Sequence, residues 1–130
     1  MASMAQISLG VADDERAGRF WCQALGYRRR APRWPGDRWV VIEPPPGEPG
    51  VPIAMDVSES PVQDRPRIHF DLDAGGADLD DEVERLVALG ASRVDWPHRA
   101  GPGEPEFVVL ADPEGNRFCV AGNRVVEKAA

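Results

Sequence analysis

Arg67-Ile-His-Phe-Asp-Leu-Asp73 is the stretch whose reading decides the fold. Its alternation puts Ile68, Phe70 and Leu72 on one face and Arg67, His69, Asp71 and Asp73 on the other, the pattern of a half-buried β-strand. The apolar face requires a core, and the polar face is offered to water, a ligand or a metal. Downstream, Ala74-Gly-Gly-Ala77 leads to Asp78, a helix N-cap, and Leu79, Val83, Leu86 and Val87 carry helical spacing to a stop at Gly90. Strands follow over Ser92 to Asp95 and Glu106 to Ala111, then a tight Asp112-Pro-Glu-Gly-Asn116 turn and a last strand from Arg117 to Ala121. Residues 123–130 read as a frayed tail or surface addition.

The same order of elements lies upstream. Ile7, Leu9 and Val11 alternate with Gln6, Ser8 and Gly10. Asp13 or Asp14 can cap a helix whose Ala17, Phe20, Trp21, Ala24 and Leu25 form an apolar stripe ending at Gly26, with Gly18 lowering the propensity slightly. Tyr27 and three arginines suggest a solvated strand edge, and Trp39 to Glu43 a strand. Pro44-Pro-Pro-Gly-Glu-Pro-Gly50 is a hairpin loop, since prolines remove ladder donors and glycines loosen the chain. Val51 to Val57 returns as a strand, and Ser58 to Pro66 is a linker.

The two halves repeat. Strand parity matches between Gln6 and His69, both helices end Leu-Gly, Trp34-Pro35 recurs as Trp96-Pro97, and Val40-Val-Ile42 recurs as Val108-Val-Leu110, each 62 to 68 residues on. The chain is therefore a duplicated βαβββ unit, module one about 5–58 and module two about 66–122. Three antiparallel strands and a helix do not bury their own faces, so the two units are expected to pair their sheets.

At 130 residues the chain suits a single compact domain or two small modules sharing one core. Fifteen Lys+Arg against 22 Asp+Glu give a net charge of -7, which argues against nucleic acid and against an anionic membrane surface and favours a cationic small molecule. The N-terminus shows no basic region followed by an apolar one, and no apolar run approaches the roughly 20 residues of a membrane span, so a cytoplasmic protein is expected. Cys22 and Cys119 fall inside regular elements and read as free thiols. There is no glycine-rich phosphate loop, nucleophile elbow or CxxC, and Asp112 to Asn116 lacks the length and terminal Glu of an EF-hand.

The opening strand with Asp13 to Trp21 and Leu25-Gly26, the strand Arg67 to Leu72, and Val109-Leu-Ala-Asp-Pro-Glu-Gly-Asn-Arg-Phe-Cys-Val120 together resemble the vicinal oxygen chelate superfamily, the glyoxalase/bleomycin-resistance/dioxygenase fold, and within it the small glyoxalase-like domains. The resemblance covers about Gln6 to Gly122. It implies an α+β fold in which the two βαβββ modules form one curled eight-stranded mixed sheet with helices outside and a concave polar face that holds a metal or ligand. Carried over by position, it makes Gln6, His69 and Cys119 candidate metal ligands, with a fourth position near Met55. Both usual carboxylate positions are then lost. No cofactor is assigned with certainty; a divalent metal (Zn, Ni, Mn or Fe) is the candidate.

Asp71 shares the polar face with His69, and Arg117 shares one with Cys119. Asp71 could orient His69 or meet a cationic ligand, or could pair with Arg117 across neighbouring strands. The repetition of Trp34-Pro35 as Trp96-Pro97 suggests packing elements, which leaves Trp39 and Phe107 as ligand-stacking candidates. His98, in a Pro/Gly-rich loop, reads as exposed, with a place at the cleft mouth as the alternative. Two functions follow. One is binding of a small molecule in a tryptophan-rimmed acidic cleft built from His69, Asp71, Trp39, Phe107 and Arg117, of the drug-sequestering bleomycin-resistance type. The other is a divalent-metal-dependent lyase or isomerase of the glyoxalase type with a degenerate site. A homodimer is expected, with modules paired within a chain or exchanged between chains.

Overall fold

The structure, a computed structural model, describes residues 1–122; the reading of 123–130 as a tail lies outside the described residues. The chain divides into two compact units, residues 1–61 and 62–130.

In the first unit, β1 (Ile7–Val11) leads into α1 (Asp14–Leu25), followed by β2 (Arg28–Arg29), β3 (Val41–Glu43) and β4 (Ile53–Val57). Asp13 is the N-cap, its side chain accepting from the Arg16 N–H, and Gly26 closes the helix in the left-handed region. The strands run in the order β1-β4-β3-β2, with β4 parallel to β1 and antiparallel to β3. Helix α1 lies on β3 and β4 and buries Ala17, Phe20, Trp21 and Ala24. Gly18 is what permits that approach. A Cβ there would stand 2.8 Å from Cγ1 of the buried Val40, so the cost in helix propensity is set against close packing on the sheet.

The second unit repeats this order with β5 (Phe70–Asp73), α2 (Leu79–Leu89), β6 (Ser92–Arg93), β7 (Phe107–Ala111) and β8 (Arg117–Ala121), in the sheet order β5-β8-β7-β6. Asp78 caps α2 by accepting from the N–H groups of Asp80 and Asp81. Val83 and Leu86 are the buried residues of α2, and Leu110, Phe118 and Val120 are buried in the strands. The Asp112 turn closes on itself: the buried carboxylate accepts from the N–H groups of Glu114 and Asn116, both at 2.9 Å.

Two expectations need correction. The eight strands do not form one curled, continuous sheet; among the described residues each module closes its own four-stranded mixed sheet. The reason lies in the return of the fourth strand to the first. Parallel pairing of β1 with β4, and of β5 with β8, draws the first strand of each module into that module's own ladder and gives each helix a four-stranded sheet. The outer strands β2 and β6 are two residues long and carry arginine, as short, charged sheet edges do. The anchor strand is also shorter than its alternation suggests. It begins at Phe70, and Ile68 is 82% exposed instead of contributing to a core. Alternation holds where there is a ladder: Phe70 and Leu72 are half-buried while Asp71 and Asp73 are exposed.

Candidate functional site

A pocket of about 480 Å³ lies within the second unit. Strand parity and register build its floor. Asp71 pairs with Cys119, and Cys119 with Val109, so β8 directs Arg117 and Cys119, and β7 directs Phe107 and Val109, to the face opposite Val120 and Leu110. Leu79 of α2 approaches Gly122, which has the parity of Val120, so α2 covers that other face. The walls come from irregular chain. Arg65, Pro66 and His69 precede β5, and Trp96 and His98 stand in the loop after β6. The Arg65 guanidinium sits 5.7 Å over the Trp96 ring, and the His98 ring meets Trp96 edge-on at 5.9 Å. The Arg99 side chain donates to the Trp96 carbonyl at 3.0 Å, and the Gly101 N–H donates to the Glu104 carboxylate, which folds the loop on itself.

The polar groups are mostly basic. Arg65, Arg117, His69 and His98 line the pocket, and among the described lining residues there is no aspartate or glutamate. Two carboxylates stand nearby as partners of these groups. Asp71 lies 3.2 Å from Nδ1 of His69, and Asp64 accepts from Arg117 at 3.1 Å. Nδ1 is thereby turned toward Asp71, which leaves Nε2 as the ring atom for another partner. Cys119 is buried and Cys22 half-buried, and both are thiols.

Of the residues expected at a site, His69, Phe107, Arg117 and Cys119 therefore line one pocket, and Asp71 reaches it through His69. Gln6 and Trp39 belong to the first unit: Gln6 just precedes β1, and Trp39, 44% exposed, donates its N–H to Asp37. Trp96, which the repeat suggests as a packing element, also lines the pocket. The signal was present in the repeat, for Trp34-Pro-Gly36 in the first half becomes Trp96-Pro-His98 in the second, so the loops had diverged in chemistry. Arg65 and Pro66 carried no such signal, being part of what read as a linker.

The metal positions can be tested on the same registers. Ser8 pairs with Ala54 as Asp71 pairs with Cys119, so the fourth-strand position corresponding to Cys119 is Ala54, which has no donor atom. Met55 has the other parity and approaches Gly18 of α1, so it is not the residue sought. What remains is one imidazole and one buried thiol in the second unit, and a neutral amide, Gln6, in the first. Among the described residues no group of three or more His, Cys, Asp or Glu side chains is placed to hold a metal ion. This donor set does not fit a resident divalent cation.

Residues 6–121 match the model of the glyoxalase-like domain family. No curated protein matches the sequence significantly. Among solved structures, the chain is similar to the genomically encoded fosfomycin resistance protein FosX from Listeria monocytogenes, with a TM-score of 0.70, 18% identity, and 93% of this chain and 91% of that one covered. A member of the glyoxalase/bleomycin resistance protein/dioxygenase superfamily from Sphaerobacter thermophilus gives 0.66 at 22% identity over 95% and 98% of the two chains. TnmS3, an antibiotic-binding protein from a Streptomyces species, gives 0.62 at 20% identity over 94% and 96%. At these identities the likeness is one of fold.

Proposed function

Since the chain belongs to the glyoxalase-like domain family, within the vicinal oxygen chelate superfamily, we propose that it binds a small molecule in the pocket of its second unit, without metal chemistry. The observation that carries this reading is the convergence of Trp96, Phe107, Val109 and Cys119 with His69 and Arg117 around about 480 Å³. Pockets of this size, with apolar walls and a few directed polar groups, are the usual form of small-molecule sites. Trp96 and Phe107 offer faces to a planar ligand, and His69 and Arg117 fix its orientation. The acidic character expected of the cleft has no support in the lining. Sequestration is also the simpler role for a pocket with cysteine where a family carboxylate would supply a metal ligand and a proton shuttle. Binding is the role in the name of the Streptomyces relative, and for this chain it forms part of the proposal.

The paired tryptophans provide the test. Titration of the full chain with planar heteroaromatic compounds, followed by tryptophan fluorescence, should show saturable binding that Trp96→Ala removes and Trp34→Ala leaves intact. Metal analysis of protein purified without chelator runs beside it. Stoichiometric metal that disappears in His69→Ala would overturn the metal-free reading and favour a metal-dependent lyase or isomerase.

A further inference from the structure

The geometry points to a planar aromatic carboxylate as the ligand class of this pocket, with Arg117 and Arg65 receiving the carboxylate and Asp64 being the side chain it displaces. This rests on the pocket reading above and goes beyond it in assigning a charge opposite to the one the composition suggests. The chain carries a net charge of -7, yet the described pocket lining holds two arginines and two histidines. The guanidinium groups of Arg65 and Arg117 are the formal charges of that lining, and they suit an anion that the rest of the surface repels.

The Arg117–Asp64 pair identifies the group received. Arg117 is held at the start of β8 with its side chain only 21% exposed, whereas Asp64 is 91% exposed. A guanidinium in that setting gains from a second, better-enclosed acceptor, while an exposed aspartate returns to water at little cost. Asp64, bonded to Arg117 at 3.1 Å from the solvent side, is thus the partner that an incoming carboxylate of the same chemistry would replace. Arg65 is fixed over Trp96 at the same pocket, so the second cation is tied to the aromatic wall. A ligand whose carboxylate reaches Arg117 and Arg65 can lay its ring system against Phe107 and Val109. A guanidinium fork suits a carboxylate in a way that a lysine would not.

The experiment is calorimetric titration of the full chain with 2-naphthoate, its neutral amide 2-naphthamide and the cation 2-naphthylmethylammonium. Naphthoate should bind about tenfold or more tightly than either matched probe. Arg117→Gln and Arg65→Gln should each bring the ratio of naphthoate to naphthamide affinity down toward one, and Asp64→Asn should raise that ratio several-fold. Trp96-dependent binding with no preference for naphthoate, or with preference for the ammonium, overturns the charge assignment and leaves the pocket reading standing. An Asp64→Asn protein with unchanged naphthoate affinity overturns the displacement. Failure of all three probes to bind overturns both readings together.

Discussion

The two halves of this chain have one topology and two characters. Sheet order is the same, and the parallel pairs fall at equivalent registers, Ser8 on Ala54 and Asp71 on Cys119. Yet the first unit places Gln6, Ser8 and Ala54 where the second has His69, Asp71 and Cys119, so an amide, a hydroxyl and a methyl answer an imidazole, a carboxylate and a thiol. The small pocket described in the first unit lies at its helix, between Arg19, Cys22 and Ile42, and not on the opposite sheet face. Duplication supplies a scaffold, and the imidazole, carboxylate and thiol at these positions all belong to one copy of it. The connections diverge as well. Between β7 and β8 the chain turns within five residues on a buried aspartate, whereas between β3 and β4 it takes a long proline-rich loop fastened from outside by Tyr27.

The sharpest way to break this contrast is at the buried aspartate. Asp112→Ala leaves the N–H groups of Glu114 and Asn116 without their acceptor in a buried turn, and should cost about 2–4 kcal/mol in urea unfolding. The β7–β8 hairpin carries the pocket floor, so ligand binding should fall with it. Next comes the helix contact. α2 has no glycine and meets its sheet through Val83 and Leu86, but α1 relies on Gly18. Gly18→Ala gains about 1 kcal/mol in helix propensity and forces a clash with Val40, so thermal unfolding should show a net loss of about 1 kcal/mol. A stabilised Gly18→Ala protein would mean that Val40 yields and that the two helices pack alike.

Smaller effects sharpen the difference in loops. The Tyr27 hydroxyl donates to the Val51 carbonyl at 3.1 Å, and Gly50, at φ 138°, has no room for a Cβ beside that hydroxyl. Tyr27→Phe should cost about 1 kcal/mol and raise amide exchange in the first unit's loop alone. The smallest effect concerns Cys22, whose thiol is pushed up by burial against the opposing pull of Arg29. A folded-state value above the unfolded one means that the stabilisation is complete at lower pH and is lost as pH rises past about 8.5, where unfolded cysteine ionises. Cys22→Ser should flatten that alkaline slope in a stability-versus-pH series, and a wild-type slope of the opposite sign would contradict the assignment.

Much of the fold was legible because local rules agree with one another here. Asp78 was readable as a cap, Asp13 or Asp14 as the other, and Gly26 and Gly90 as stops, while the repeat ordered the elements. What periodicity did not carry was the ladder itself. The alternation of Arg67 to Asp73 continues past the point where pairing ends, so Ile68 had the right parity and no sheet to face. Nor does parity say which strands pair, and among the described residues every strand pair falls within one module, which makes two four-stranded sheets. Around the pocket, strand pattern placed Phe107, Arg117 and Cys119 on β7 and β8. The irregular walls obey no period: Trp96 read as packing, His98 as exposed with the cleft mouth as its alternative, and Arg65 as linker.

That division of labour has a consequence for how this molecule can change. Arg65, Pro66 and His69 sit in the stretch that leads from the first unit into β5, held to the second by the Asp64–Arg117 pair. Joining segments accept insertions and deletions more readily than sheets do. Residues added or removed there would re-aim three of the pocket's wall residues without disturbing a strand, so the part of the chain most open to drift in length is also the part that sets what the pocket admits.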